Sequence, residues 1–313
     1  TRHAESMDVA VVIPVGSVDP ILSDQVHRVI NQSGVPLTEV VLSVNSKAAE
    51  VVAGVAEVVA AVNDSRLRVV DSSDQRGAAH ARNVGVASTT TAAIAFCDAD
   101  DLVHHGWLAA LVDGLEHFDA VSGRTIDVFP EARMADWYPP ATPGGLNSFL
   151  GEQYLLTGNL AVHRDAFEAV GGFDETLTRC EDIALSWSLA RAGFTIGYAN
   201  DAAIDYRHRA GVVPMLRQYY LYGRGMSEVL RKYGAPRSDG LSSSRGIGML
   251  RPNGQRAGRR TLVGAMRRGA LGAVVEPQLH TVVPVGTPRT LELALLLPAA
   301  SRRLAIRFGQ FGH

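Results

Sequence analysis

Four short apolar runs, each followed by a stretch with helical spacing, constrain the first 120 residues more than any other feature of this chain. Val9-Ala10-Val11-Val12-Ile13 is β-branched, ends at Pro14, and reads as a central parallel strand. Leu22, Val26, Val29 and Ile30 then recur at helical intervals. Val40 to Val44 and Leu67 to Val70 give the next two strands, with helices over 47–63 and 78–87. Ala92 to Cys97 is the fourth strand, and Leu108, Leu111, Leu115 and Phe118 mark the helix beyond it. Such alternation predicts a Rossmann-like, mostly parallel sheet with helices on both faces.

The fourth strand ends in Cys97-Asp98-Ala99-Asp100-Asp101. Its apolar part belongs in a sheet, which puts three carboxylates at the C-terminal edge, where open α/β sheets hold their ligands. Like charges this close repel, so a cation is the natural compensation. A second acidic pair, Glu181-Asp182, opens a later helix and can supply a carboxylate over the same crevice. The competing structural roles are plain. Asp98–Asp101 could cap the helix that follows, Asp101 especially, and Glu181 and Asp182 could be ordinary acids of a first helical turn.

Beyond residue 120 the alternation breaks. Ala120 to Phe129 reads as a strand, Pro130 to Gly145 as a loop carrying Trp137 and Tyr138, and 160–163 and 195–206 as short strands. A long helix is predicted from Val213 to about Tyr233, and a mobile connection over 235–260. The turn after the first strand, Pro14-Val15-Gly16-Ser17-Val18, lacks a glycine-rich dinucleotide fingerprint, and no phosphate-binding P-loop occurs. Phosphates, if bound, must therefore be held through a metal.

These segments resemble the family 2 glycosyltransferases, inverting enzymes that use nucleotide-diphospho-sugars. Val11-Val12-Ile13-Pro14 resembles the opening strand, and Arg76-Gly77-Ala78-Ala79-His80-Ala81-Arg82-Asn83 the helix entry. Asp98-Ala99-Asp100 resembles the DXD metal motif. Gly158-Asn159 with Gly171-Gly172-Phe173-Asp174-Glu175 resembles the acceptor-side segment, and Glu181-Asp182 with Leu185 and Trp187 the base-bearing helix. The resemblance runs over roughly residues 9–210 and implies a GT-A-like α/β fold with a smaller acceptor-side region, in a domain expected over 1–234. Residues about 8–120 form its nucleotide-sugar half and about 121–234 its acceptor half, with 235–313 a basic, helical or irregular C-terminal extension outside it.

It further implies a metal-dependent, inverting transfer of sugar to a hydroxyl acceptor. Asp100 is expected to hold Mn2+ or Mg2+ with His208 as a further ligand, and Asp98 to contact the ribose or fix Arg82. Asp182 is expected to be the general base. Pro14, Val15, Asn45, Asp71, Arg82, Asp98, Ala99 and Asp100 are the expected donor-side contacts, and Gly158, Asn159, Glu181 and Trp137 the acceptor-side ones. Asn45 stands where the family usually has an acidic base-reading turn, which leaves the nucleobase open. Trp137 and Tyr138 either stack on a sugar or anchor their loop. A metal-dependent nucleotidyltransferase and a non-catalytic sugar-nucleotide-binding module are the alternatives.

At 313 residues the chain can bury one large core with an appendage. Its net charge of −2 hides an asymmetry. Residues 1–234 hold 18 Lys and Arg against 29 acids, whereas 235–313 hold 12 Arg against 3 acids. The basic tail is expected to be a solvated surface or a peripheral contact with an anionic membrane. No nucleic-acid partner is expected. Cys97 and Cys180 are too few for a disulfide framework or zinc site and read as small buried packing residues, in keeping with a reducing compartment. Leu291 to Leu297 is too short to span a membrane, and no secretory apolar segment precedes Asp8, so a cytoplasmic location is expected.

Overall fold

A computed structural model of the chain describes residues 7–138 and 144–235. The elements of the first half follow the sequence pattern: β1 (Val9–Val15), α1 (Leu22–Ile30), β2 (Leu37–Val44), α2 (Ala49–Val62), β3 (Leu67–Asp71), α3 (Ala78–Ala87) and β4 (Ala93–Cys97). They form the parallel half of an eight-stranded sheet, in the order β3-β2-β1-β4. The second half supplies β5 (Leu102–Val103), α4 (Trp107–Leu115), β6 (Ala120–Val128), a 3-10 helix (Ala132–Trp137), β7 (Asn147–Phe149) and β8 (Glu152–Tyr154). After these come β9 (Asn159–His163), α5 (Arg164–Ala169), α6 (Glu181–Arg191), β10 (Ile196–Arg207) and α7 (Val212–Tyr233).

Strand β9 runs antiparallel between β4 and β6, β10 continues parallel to β6, and β5 closes the edge antiparallel to β10. The period of two along β1 explains the layers. Val9, Val11, Ile13 and Val15 face a core shared with α1, α2 and α4, through Leu22, Val26, Val55, Leu108 and Leu111. Val12 faces the other core, with Ala79 and Val86 of α3, Phe167 of α5 and Leu185 and Leu189 of α6. Helix α3 lies so close to β1 that a Cβ at Gly85 would meet Val12 Cγ1 at 2.4 Å.

A third cluster joins α6 to α7 through Ile183, Ala184, Trp187 and Val229. Gly225 permits this crossing, since a Cβ there would lie 2.9 Å from the Arg179 carbonyl oxygen. The two glycines of α7 that weaken its sequence pattern are both buried, and Gly225 has this packing reason. Strands β7 and β8 form a hairpin that no sequence pattern announces, turning through left-handed Leu150 and Gly151. Strand β5 has no counterpart in the sequence pattern either, and it changes one expectation. Asp101 caps no helix: β5 follows it directly, and α4 begins only at Trp107 behind Gly106. The expected C-terminal extension, its basic arginines and the boundary at 235 lie outside the described residues, apart from residue 235 itself. Among the described residues no helix is long and apolar enough to cross a membrane.

Candidate active site

Strand order reverses between β1 and β4, and a cleft of about 1510 Å³ opens over their C-terminal ends. Pro14, next to last in β1, lies at its wall, Asp98–Asp101 form the turn after β4, and Gly158 precedes β9. The α6 start brings Glu181 and Asp182, and α7 forms a side wall through Gln218 and Tyr222.

One buried guanidinium ties the two acidic clusters together. Arg82 of α3 donates through Nη2 to Asp98 Oδ1 and through Nη1 to Glu181 Oε1, each at 2.7 Å. Its Nε is buried without a partner. Both carboxylates keep the Arg82 charge in place against burial. On the far side of the acidic turn, Gln25 is fully buried in α1, donating to the Asp98 carbonyl at 3.1 Å and accepting from Val103 N–H at 3.0 Å. Sequence reasoning passed over Gln25. Its signal was a polar residue at a core-facing position of the Leu22, Val26, Val29 helix.

The acids of the turn differ. Asp101 is buried, accepts the Arg207 N–H at 3.0 Å, and leaves Oδ2 without a partner. Burial first, then the Asp98 charge, pushes it up to about 8. Asp100 has exposed surface yet is recessed in the cleft, where burial and then Asp98 raise its pKa. It has no ion-pair partner among the described residues. A Cβ at Gly158 would stand 2.8 Å from Asp98 Oδ2, so this glycine makes room for the carboxylate.

Asp182 occupies the first turn of α6, entered through Cys180 in a left-handed conformation. Its Oδ1 accepts the N–H of Ile183 at 2.8 Å. A helix start by itself favours the charged carboxylate. Burial outweighs it, and with the neighbouring Glu181 charge pushes Asp182 up to about 7, against the opposing pull of the Ile183 N–H and Arg82. Asp182 is only half-buried by surface area, but it sits within cleft walls that include Tyr154 and Tyr222.

The remaining expected residues separate by what their side chains already hold. Asn45 lines the cleft but donates to the Ser72 and Gln75 carbonyls and accepts from Gly77 N–H, so its amide braces the loop before α3. Asp71 accepts from Ser73 N–H outside the cleft. Val15 is fully buried in the core, as is most of Ala99, which reaches the cleft wall. Asn159 is fully buried, with Oδ1 accepting from the Trp107 indole and Nδ2 donating to the Arg124 and Ala202 carbonyls. Its side chain staples the point where β6 and β10 slip register, and none of its donors is left for a substrate. Trp137 does not line the cleft, whereas its neighbour Tyr138 does.

His208 lies in the cleft wall with Nε2 on Asp127 Oδ1 at 2.8 Å and Nδ1 buried without a partner. It stacks on Phe129, with ring centroids 4.4 Å apart, and tilts against Tyr138 at 4.1 Å. No group of three His, Cys, Asp or Glu side chains forms a ready metal cage among the described residues. His208 and Asp100 are therefore not drawn into one such group.

Helix α3 carries the rest of its motif to the glycine pair. Asn83 donates to the Phe173 carbonyl and to Glu175 Oε1 and accepts from Phe173 N–H, while His80 bridges Asp74 and Glu175 at 2.9 Å each. Left-handed Gly171 and Gly172 let the chain turn into this clamp.

The family described as Glycosyl transferase family 2 matches residues 10–171. The chain is 29% identical over 175 residues to a pre-mycofactocin glycosyltransferase of Mycobacterium tuberculosis, covering 50% of this chain and 36% of that protein. It thus spans less than half the length of that relative. Among solved structures it is similar to the mannosyltransferase PcManGT of Pyrobaculum calidifontis in complex with GDP-Man and Mn2+. That match has a TM-score of 0.55 and 20% identity, over 73% of this chain and 65% of the other. It is also similar to GalNAc-T7 with UDP, GalNAc and Mn2+, at a TM-score of 0.56 and 14% identity, over 74% and 54% of the two chains. These likenesses show a GT-A-like α/β fold.

Proposed function

We propose, for a chain that belongs to glycosyl transferase family 2 and is a glycosyltransferase, that it moves a sugar from a nucleotide-diphospho-sugar to a hydroxyl acceptor by direct, inverting displacement. The observation that carries this reading is the Arg82 bridge, which makes the acids after β4 and the acids opening α6 two sides of one cleft. Family membership leaves the nucleotidyltransferase and binding-module alternatives without support.

Asp182 is the proposed general base. A carboxylate within about 2.6–3.2 Å of the acceptor hydroxyl can take its proton as the oxygen attacks the anomeric carbon. A pKa near the working pH makes that transfer efficient, and burial moves Asp182 in that direction. Attack from the face opposite the leaving nucleotide inverts the anomeric configuration. Glu181, held by Arg82, cannot readily act in its place.

Asp100, with Asp98 beside it, is the proposed holder of a divalent cation, Mn2+ or Mg2+. Hard oxygen donors suit both ions, and a site of one or two carboxylates completed by substrate phosphates is their usual form in phosphate chemistry. The unpaired Asp100, the crowded negative charge that raises its pKa, and the lack of a three-ligand protein cage among the described residues fit that arrangement. A bound cation supplies positive charge against the diphosphate as it leaves. Arg82 keeps Asp98 in register with the turn, and Gln25 fixes the turn's backbone. The Mn2+ and nucleotide-sugar bound by PcManGT support this reading for the present chain.

The test is a panel of nucleotide-diphospho-sugars with Mn2+ against acceptor hydroxyls, with product configuration read from anomeric coupling. Inversion in the parent, and loss of transfer without loss of donor binding in Asp182→Asn, are the expected results. A retained anomer overturns the mechanism.

A further inference from the structure

Helix α7 divides its surface sharply. Met215 and Val229 are buried, and Gln218 and Tyr222 face the cleft. On its other side Val212, Val213, Leu216 and Tyr220 are 44%, 76%, 40% and 44% exposed. At about 100° per residue these four fall within roughly 100° of arc, and Arg217 and Arg224 border them within about another 40°. Half of the exposed large apolar side chains among the described residues thus lie on one strip in the first nine positions of one helix.

The charge of this stretch is opposite to that of its surroundings. Residues 1–234 carry 29 acids against 18 Lys and Arg, yet between Asp205 and Glu228 there are four Arg and no acid. Arg207 pairs with Asp19 at 3.0 Å. Arg209 lines the cleft, where its charge acts on Asp100, whereas Arg217 has no ion pair among the described residues and Arg224 reaches Glu228 only at 4.0 Å.

We infer that this strip is an interfacial docking surface for an anionic lipid bilayer, the apolar side chains entering the headgroup boundary and the arginines meeting anionic headgroups. An apolar helical face bordered by cations is the chemistry that binds such a surface. Charge complementarity selects this occupant. Residues 235–313, with 12 Arg against 3 acids, do not offer the negative charge that Arg217 and Arg224 would meet. Val213 and Arg217 belong both to the strip and to the cleft rim, so a bilayer on the strip lies at the mouth of the cleft. The inference does not depend on the transfer mechanism.

The experiment uses the full chain with phosphatidylcholine vesicles containing or lacking phosphatidylglycerol. Leu216→Trp reports the strip directly: its added emission is expected to shift to the blue with anionic vesicles and not with neutral ones. The double variant Leu216→Ser, Tyr220→Ser, outside the cleft wall, is expected to weaken anionic-vesicle binding at least about tenfold, with its circular dichroism and donor binding unchanged. Arg224→Gln is expected to weaken binding further at low salt than at high salt. Vesicle binding unchanged in the Ser pair, or an unshifted added emission in Leu216→Trp, assigns any membrane contact to other residues and overturns the proposal. So does a parent chain that ignores vesicles but loses a self-associated state in the Ser pair.

Discussion

The Nη2 of Arg82 donates to Asp98 Oδ1 at 2.7 Å, with the arginine side chain only 5% exposed and the aspartate 31%. The same guanidinium reaches Glu181, 99 positions further along the chain, at 2.7 Å, so one buried cation compensates acids from two distant segments. Breaking a buried pair by removing one partner costs more than the pair contributes, because the abandoned charges stay buried. Arg82→Met is therefore expected to lower stability by about 3–5 kcal/mol, measured by urea unfolding. Arg82→Lys should lose less but still weaken donor binding, since an ammonium lacks the fork that spans both carboxylates. A Met variant as stable as the parent would show that the acids are not held by this bridge.

Asp182→Asn keeps the shape of the side chain and removes its basicity. The kcat is expected to fall by about 100- to 10,000-fold, while donor and cation affinity barely change. The pH dependence has a definite sign. A base must be unprotonated, so kcat/KM of the parent should rise with pH through about 7, and this limb should vanish in the variant. Stability runs the other way. Because folding raises this pKa from 3.8 to about 7, the penalty for burying the charge is absent below the unfolded value and complete above the folded one. Asp182→Asn should therefore be more stable than the parent above about 7, and the gain should shrink towards 3.8.

The parallel half of the sheet was legible because β1, β4 and most of β2 are buried on both faces and so read as continuous apolar runs. The acidic turn was legible because three carboxylates at the end of such a run have few structural uses. The second half was less so. Strand β5 is two residues long, and its pairing with Ile204 and Asp205 is a long-range event that leaves no local pattern. Asn159 and Asn45 looked like ligand-facing amides, yet Asn45 is consumed by backbone groups and Asn159 by backbone carbonyls and the Trp107 indole, partners that only the fold brings near. The left-handed backbone of Cys180 is held by the packing of α6 and α7, and nothing in the residue type announces it. The contribution of α7 to the cleft wall was hidden because its inward face is polar and aromatic.

Gly158→Ala tests how tightly Asp98 is fixed. The new methyl group would stand 2.8 Å from Asp98 Oδ2, and Asp98 cannot swing away without breaking its bond to Arg82. Overpacking of this kind costs about 1–3 kcal/mol, and donor binding should weaken with it. Combining Gly158→Ala with Asp98→Ala should restore part of the lost stability, giving a clear coupling term in a double-mutant cycle. Strict additivity would place the glycine's role elsewhere.

Asp100→Ala removes the unpaired carboxylate of the turn. In the parent, Mn2+ with a matching nucleotide-sugar should raise apparent stability by about 2.7 kcal/mol at a hundred times Kd. The variant should keep its fold and lose the Mn2+-dependent part of that shift. An unchanged shift in thermal unfolding would remove Asp100 from the cation site.

His208 offers a sharper comparison, because its Nε2 is engaged by Asp127 and its ring is packed against both Phe129 and Tyr138. To ligate a cation through Nε2, the imidazole must give up the Asp127 bond. Asp127→Asn weakens that competing partner, so it should leave Mn2+ affinity equal to or tighter than in the parent. His208→Ala should loosen it by about tenfold or more, because a neutral nitrogen donor is lost. Both variants are read by Mn2+ titration calorimetry in the presence of donor, beside a thermal unfolding scan. If His208→Ala lowers only the unfolding temperature, the ring is a packing element of the cleft wall and the cation is held by the acidic turn without it.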